Sequence, residues 1–553
     1  MISANIGMLV GLVLPCFHHK CGTLGLRESV DMDFKTLLDT LARSSAEAVS
    51  TLSKSSDEVE ELRSYLYVET EIERRFVEAL KTTNSAHSII FLCGSSGDGK
   101  SEILRRHHDL YKDDFLFHLD ATHSFKPDQN AVEALNELFD QHGESNKPLI
   151  VGINIGMLFN FQNTGDERHD GVKEAIRRFI DGERAFDQYQ FLSFEDYPKF
   201  SLEKGAVGSE FISELLGKVT AADEKNPLYR AYSEDEAHHQ QLIYENYRIL
   251  QETEVQALIV QTLLHARLKY DQFLSARALL DFIYNLIAGD SVLFDNLFLA
   301  PGDGLAGSMA SLDPCLLRSQ RIDEFVVQRS LEVTDSDFEE FKRAFSTKYG
   351  HFSMEPTTWI RAFYVMKDID IGNNYHKAFS DDFRRKLFED YIHVWQLHQT
   401  LDDKKQLREF YDKTLIASLI KFANRLLTGL GNDALYLAER NGVTITTKVR
   451  VAMDTKALES PASSQIHSFN AAIKVGDQAI KPFPVTISFL ELAERIMSGY
   501  RPNRHDKNTI VILEEVIDEV ARVASKNGSL TFIKDEREWS LLLEDDEFIV
   551  EAC

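Results

Sequence analysis

The residues of this chain best suited to chemistry form one octapeptide, Gly94-Ser95-Ser96-Gly97-Asp98-Gly99-Lys100-Ser101. It fits the pattern G-x-x-x-x-G-K-[ST], in which each residue type has a physical task. Glycines let the backbone turn tightly and aim successive N–H groups at phosphate oxygens. The helix that follows adds about half a positive charge at its N-terminus. Lys100 brings a full charge to the β- and γ-phosphates, and the Ser101 hydroxyl is a Mg²⁺ ligand. The expectation is a cradle for ATP and Mg²⁺ built from Gly94, Ser95, Ser96, Gly97, Asp98, Gly99, Lys100, Ser101 and Glu102.

Hydrolysis needs further groups: an acid at a strand end on the magnesium side, and a residue that orients the attacking water. Asp120 ends the apolar run FLFHL, only twenty positions after Lys100, and is the first choice for that acid. Its alternative is a turn or helix N-cap. The later strand LIVGINI offers Asn154, a candidate sensor of the γ-phosphate, whose alternative is a turn asparagine. Glu195 and Asp196 follow a fourth apolar run and are alternative acids. Arg277, at the start of the helical stretch after Leu274-Ser275, stands where a lid arginine would reach the γ-phosphate. Arg318 and Arg321 are candidates to act across a homo-oligomer. Guanine is disfavoured, because Asn146-Lys147-Pro148-Leu149 has leucine where a base-reading acid belongs. Cys16, His18, His19 and Cys21 are too closely spaced for a zinc finger, and His107-His108-Asp109 lacks distant partners for a metal-dependent hydrolase.

The elements that must position these residues are legible as patterns. Asp33 to Leu80 reads as helical, with Phe34, Leu37, Leu38 and Leu41 on one face. SIIFLC (88–93) is a continuous apolar run, as a buried parallel strand requires, and a helix over Lys100–Tyr111 follows the glycine turn. FLFHL (115–119), a helix over Ala131–His142 and LIVGINI (149–155) continue the alternation, with FLSF (191–194) as a fourth strand. The reading is an α/β, P-loop NTPase parallel sheet with helices on both faces over residues 86–205. It is preceded by an N-terminal helical segment, 32–85. A large, mainly helical region, 206–430, then serves as lid and body, with Val255–Leu268 and Ala276–Ile287 its clearest helices. A small C-terminal α+β module fills 432–553, with strands over Val443–Val451, Phe469–Val475 and Val485–Phe489 and a helix over Ile510–Ala524. Linkers fall near Gly205–Gly208, Ala300–Gly307 and Thr428–Asn432. Residues 1–31 read as a dispensable leader before Met32.

The totals narrow the class. At 553 residues the chain exceeds one hydrophobic core. Lys plus Arg number 61 against 88 Asp plus Glu, a formal net charge of −27, which excludes a general DNA coat. DNA contact must then come through a local patch or a partner. Five scattered cysteines form no disulfide framework and fit a reducing cytoplasm. No apolar run reaches the roughly 20 residues needed to span a bilayer.

Several stretches together are more specific than the octapeptide. Tyr65-Leu66-Tyr67-Val68-Glu69-Thr70-Glu71-Ile72-Glu73, GSSGDGKSE (94–102), Asp120-Ala121-Thr122-His123-Ser124-Phe125, LSARALLDFIYNLIAG (274–289) and Ser311-Leu312-Asp313-Pro314 resemble the DNA phosphorothioation-dependent restriction protein DptF family, from about Met32 to the C-terminus. The resemblance implies a bacterial defence system in which companion enzymes place sulfur in the host DNA backbone. A complex of DptF-like, DptG-like and DptH-like proteins then attacks DNA lacking the mark. It implies a Mg²⁺-dependent ATPase subunit, coupling nucleotide turnover to DNA sensing or damage. A nucleotide-sensing scaffold with little or no hydrolysis is the alternative, motivated by the missing acid on LIVGINI.

Overall fold

The computed structural model describes residues 33–42, 57–119, 129–184, 188–235, 241–272, 274–302, 304–427, 430–431, 433–459, 465–503, 506–527, 530–535, 537–544 and 547–552. Asp120, the leader with Cys16 to Cys21, and His238-His239, a pair that the sequence reads as a solvated helix face, lie outside them. Among the described residues, the stretch expected to be helical from Asp33 holds three helices, α1 (Phe34–Asp39), α2 (Asp57–Leu66) and α3 (Glu71–Thr82). The four apolar runs become β1 (Ile89–Cys93), β2 (Leu116–His118), β3 (Leu149–Ile153) and β4 (Tyr189–Ser193). Between them run α4 (Lys100–Tyr111), α5 (Ala131–Gly143), α6 (Ile155–Thr164) and α7 (Asp170–Ile180).

The strands form one parallel sheet in the order β2-β3-β1-β4. That order fixes where the helices go. From β1 the chain moves one way to β2. From β2 to β3 and from β3 to β4 it moves the other way. Right-handed crossovers therefore place α4 on one face and α5, α6 and α7 on the opposite face. The packing agrees. Ile103 and Leu104 of α4 share a core with Ile72, Phe76 and Leu80 of α3 and with Ile90 and Leu92 of β1. Leu135 and Phe139 of α5, Phe161 of α6 and Ile176 and Phe179 of α7 pack on Ile89, Phe91 and Val151. Every residue of β1 and β3 is buried, which is why both read as unbroken apolar runs.

Beyond the sheet come α8 (Glu210–Thr220), α9 (Pro227–Glu234), α10 (Leu242–Leu250), α11 (Thr253–Tyr270) and α12 (Ala276–Ala288), and further helices follow to Ala423. One of these begins at Leu305, inside the stretch expected to be a linker. The core of this helical body also takes in Phe34 and Leu38 of α1, Leu62 of α2, and Val485, Leu490 and Val523 near the C-terminus. The N-terminal helices thus divide: α1 and α2 join the helical body, while α3 joins the sheet.

The C-terminal part is antiparallel. A five-stranded sheet joins β5 (Ala434–Arg440), β6 (Val443–Lys448), β12 (Leu530–Lys534), β13 (Arg537–Glu544) and β14 (Glu547–Ala552) in the order β14-β13-β12-β6-β5. Two small sheets lie between in sequence: β7 (Val451–Met453), β9 (Ile473–Val475) and β10 (Gln478–Ala479) form one, and β8 (Ser468–Ala471) pairs with β11 (Phe483–Thr486). Each of the three strands expected here is corrected. The run 443–451 breaks where the Val449 N–H turns to the Asp433 carbonyl at 2.8 Å, so β6 and β7 belong to different sheets. The run 469–475 breaks at Ala472, whose N–H is taken by the Tyr411 hydroxyl at 3.0 Å. The run 485–489 ends at Thr486, whose hydroxyl accepts the Phe489 N–H and starts the helix Ile487–Met497. LIVGINI is shortened for the same reason: Asn154 caps α6, and Ile155 is helical. Among the described residues no helix is long and apolar enough to cross a membrane.

Candidate functional site

In an open parallel sheet, ligands bind beyond the carboxyl ends of the strands, where neighbouring connections depart to opposite faces. Here that place lies between β1 and β3, because α4 and α6 leave on opposite sides. The glycine-rich loop occupies it. The Gly94 N–H donates to the Ile153 carbonyl at 3.3 Å, which joins the loop to the end of β3. Gly97 and Gly99 adopt φ of +82° and +103°, the left-handed region that glycine enters without strain. Gly99 is the N-cap of α4.

Close approach explains the other glycine requirements. A Cβ on Gly94 would stand 2.8 Å from the Phe194 ring and 2.9 Å from the Asp98 carboxylate. A Cβ on Gly97 would stand 3.1 Å from both Arg277 Cβ and Ser275 Oγ. At Gly99 nothing lies within 4 Å, so the side of the loop above the start of α4 is open. Behind the loop, Gly152 of β3 lets α4 approach: a Cβ there would meet the Leu119 carbonyl at 2.6 Å and the Leu104 side chain at 2.7 Å.

Two charged side chains shape the loop. Lys100 folds back over it, its Nζ donating to the carbonyls of Gly94 (3.0 Å) and Ser95 (2.7 Å). Asp98 points inward and is fully buried, accepting the Ser95 N–H at 2.7 Å and pairing with Lys199 Nζ at 3.2 Å. The N–H groups of Gly99, Lys100 and Ser101 have no intrahelical partner, since they open the first turn. Ser95, Ser96 and Gly97 are exposed, and Ser101 is half-buried. The Glu102 carboxylate is drawn sideways by Arg105 at 2.9 Å, which also reaches Glu60 at 3.2 Å. Burial raises the Cys93 thiol, so the residue before the loop stays neutral.

The remaining candidates separate by place. Asn154 stands at the end of β3, next to the loop, and its Oδ1 accepts the Met157 N–H at 2.6 Å. Arg277 comes to the loop from the helical body: its backbone N–H donates to the Gly97 carbonyl at 3.3 Å, and Ser275 caps α12 through the Ala278 N–H. Glu195 is exposed, and Asp196 is held by Arg184 at 3.2 Å. Arg321 is engaged with the Ala378 carbonyl and with Asp382, while Arg318 is exposed. Asp120 follows β2, the edge strand beyond β3, but lies outside the described residues.

Sequence reasoning did not find two arrangements. One is the Asp98–Lys199 pair. The other ties the back of α4 to the N-terminal segment. Burial alone would raise the Glu73 pKa, but hydrogen bonds from His107 Nε2 at 2.9 Å and from the Tyr67 hydroxyl outweigh it and hold the carboxyl below its usual range. Arg106 stacks on the Tyr67 ring at 3.7 Å, and Lys218 of α8 donates to the Tyr67 carbonyl. His107 is thus a packing partner of α3, and among the described residues no three His, Cys, Asp or Glu side chains gather as a metal site. The Tyr65–Glu73 stretch, singled out in the sequence, was the available signal. No family model, curated protein or solved structure matches the chain.

Proposed function

We propose that this chain is a P-loop, ATP-binding and ATP-hydrolysing subunit of a bacterial phosphorothioation-dependent DNA restriction complex. The observation that carries the nucleotide half is the loop at the sheet's switch point. It has left-handed glycines, an open side at Gly99, a helix start whose first-turn N–H groups lie outside the intrahelical ladder and an ammonium resting on loop carbonyls. These features fit a triphosphate. Backbone N–H groups from Gly97 to Ser101 would cradle the phosphates. Lys100 would exchange two carbonyls for phosphate oxygens. The Ser101 hydroxyl would hold Mg²⁺, with Asp120 as the acid on that side, and the ion when bound neutralises charge on the phosphates. Arg277, whose backbone N–H donates to the Gly97 carbonyl, would act as the lid arginine.

The restriction half rests on the resemblance to the DptF family. The acidic charge of −27 supports a subunit that meets DNA through DptG-like and DptH-like partners. The test has two arms. Calorimetry on the full chain with Mg²⁺ should detect ATP uptake, and Lys100→Ala should abolish it. Cells carrying Lys100→Ala should also lose restriction of unmarked DNA; normal restriction by that variant would sink the coupling of nucleotide to defence.

A nucleotide-sensing scaffold is the second reading. It is favoured by β3, the strand beside the loop, ending in a capping asparagine rather than an acid. Under it, ATP is bound without measurable turnover, and Asp120→Asn leaves restriction intact while Lys100→Ala does not.

A further inference from the structure

We infer that Lys199 is a positioning residue for phosphate binding, acting through Asp98 to set the shape and charge of the glycine loop. The inference rests on the phosphate-loop reading above. Asp98 is an unusual occupant of such a loop: a carboxylate, wholly removed from solvent, within the eight residues that must receive a polyanion. Its Oδ2 accepts the Ser95 N–H at 2.7 Å, and its Oδ1 lies 3.2 Å from Lys199 Nζ. Lys199 is about a hundred residues distant in sequence, on the turn after β4, with a side chain only 17% exposed. The same turn supplies Phe194, whose ring lies against Gly94 and 5.9 Å from the Lys199 ammonium.

A buried carboxylate that loses its partner is strongly unfavourable, because neither water nor a counter-charge replaces it. In this loop the penalty has a second form. An unneutralised Asp98 would oppose incoming phosphates directly, and it would draw Lys100 toward itself and away from them. With Lys199 in place the pair is neutral, and Asp98 serves as a brace that closes the turn on the Ser95 N–H. The net charge felt by a ligand is then that of Lys100 and the helix start.

Calorimetry with Mg-ATP on the full chain tests this with Lys199→Met, Asp98→Asn and the double variant, thermal melts confirming folding. Lys199→Met should weaken uptake about tenfold or more. Asp98→Asn should bind near the wild-type level, since an amide still accepts the Ser95 N–H. The double variant should return to within about threefold of wild type, because the charge that needed Lys199 is gone. Lys199→Arg should retain binding. A double variant as weak as Lys199→Met would overturn the inference, since Lys199 would then act on phosphate or fold directly. If Lys199→Met does not fold, the double variant compared with Asp98→Asn decides: equal affinity supports the inference and a tenfold loss refutes it. A wild-type chain that takes up no ATP refutes the phosphate-loop reading itself, and this inference with it.

Discussion

Two neighbouring strands of the parallel sheet end at the same level and hand over to helices in opposite ways. After β3 a single residue, Asn154, makes the turn and caps α6 with its own side chain. After β1 the chain takes six residues, three of them glycine, and reaches α4 through a left-handed Gly99 that has no side chain to offer. The first junction satisfies itself. The second has no capping side chain at its N-cap and folds Lys100 over the loop carbonyls. The contrast teaches that two helices leaving one sheet side by side can start differently, one capped by a side chain and one not; under the proposed function the uncapped start would offer its donors to a phosphate.

The comparison can be broken at either junction. Lys100→Ala at the open one should cut Mg-ATP affinity about a hundredfold or more, with the melting temperature unchanged; equal affinity in titration calorimetry would remove the functional meaning of the contrast. Gly152→Ala, in the body of β3, should destabilise the fold by about 1–3 kcal/mol in urea unfolding, because its Cβ would collide with the Leu119 carbonyl and the Leu104 side chain. Asn154→Ala at the closed junction should cost about 1 kcal/mol in the same assay and leave Mg-ATP uptake as it was. A loss of turnover there, with uptake intact, would sharpen the comparison by giving the capping asparagine a second task.

The smallest effect lies outside the sheet and serves as a control. His265 of α11 is buried against Phe388, and burial, helped by Arg385, pushes its pKa down to about 3. Its folded pKa is below the unfolded value near 6.5. Its contribution to stability is therefore complete above that value and falls as the unfolded chain takes up the proton. Between pH 7 and pH 6 the loss should be about 0.5–1 kcal/mol, and His265→Gln should flatten that slope in pH-dependent unfolding.

The central strands β1 and β3 were readable because burial on both faces makes each an unbroken apolar run, whereas the edge strands β2 and β4 are only partly buried; the helix Lys100–Tyr111 was placed at both ends. The errors share a cause. Asn154 and Thr486 each lie within an apolar stretch, and each starts a helix by accepting an N–H three residues on. Periodicity does not register such a local hydrogen bond. The C-terminal strands were misjudged because Val449 and Ala472 leave one sheet for another, their N–H groups taken by the Asp433 carbonyl and the Tyr411 side-chain hydroxyl, partners that a local pattern does not show. The loop residues were legible from spacing. Lys199 was not, since a lone lysine in Tyr-Pro-Lys-Phe carries no sign of a carboxylate about a hundred residues earlier.

The backbone bond from Arg277 to Gly97 has a mechanical consequence. α12 has 13 residues, a rod about 20 Å long whose tip rests on the glycine loop. Leu279, Ile283, Leu286 and Ile287 are buried along it, so the rod cannot tilt without moving the side chains it packs against. A displacement of the glycine loop is therefore passed through Arg277 into the core of the helical body rather than lost at the surface.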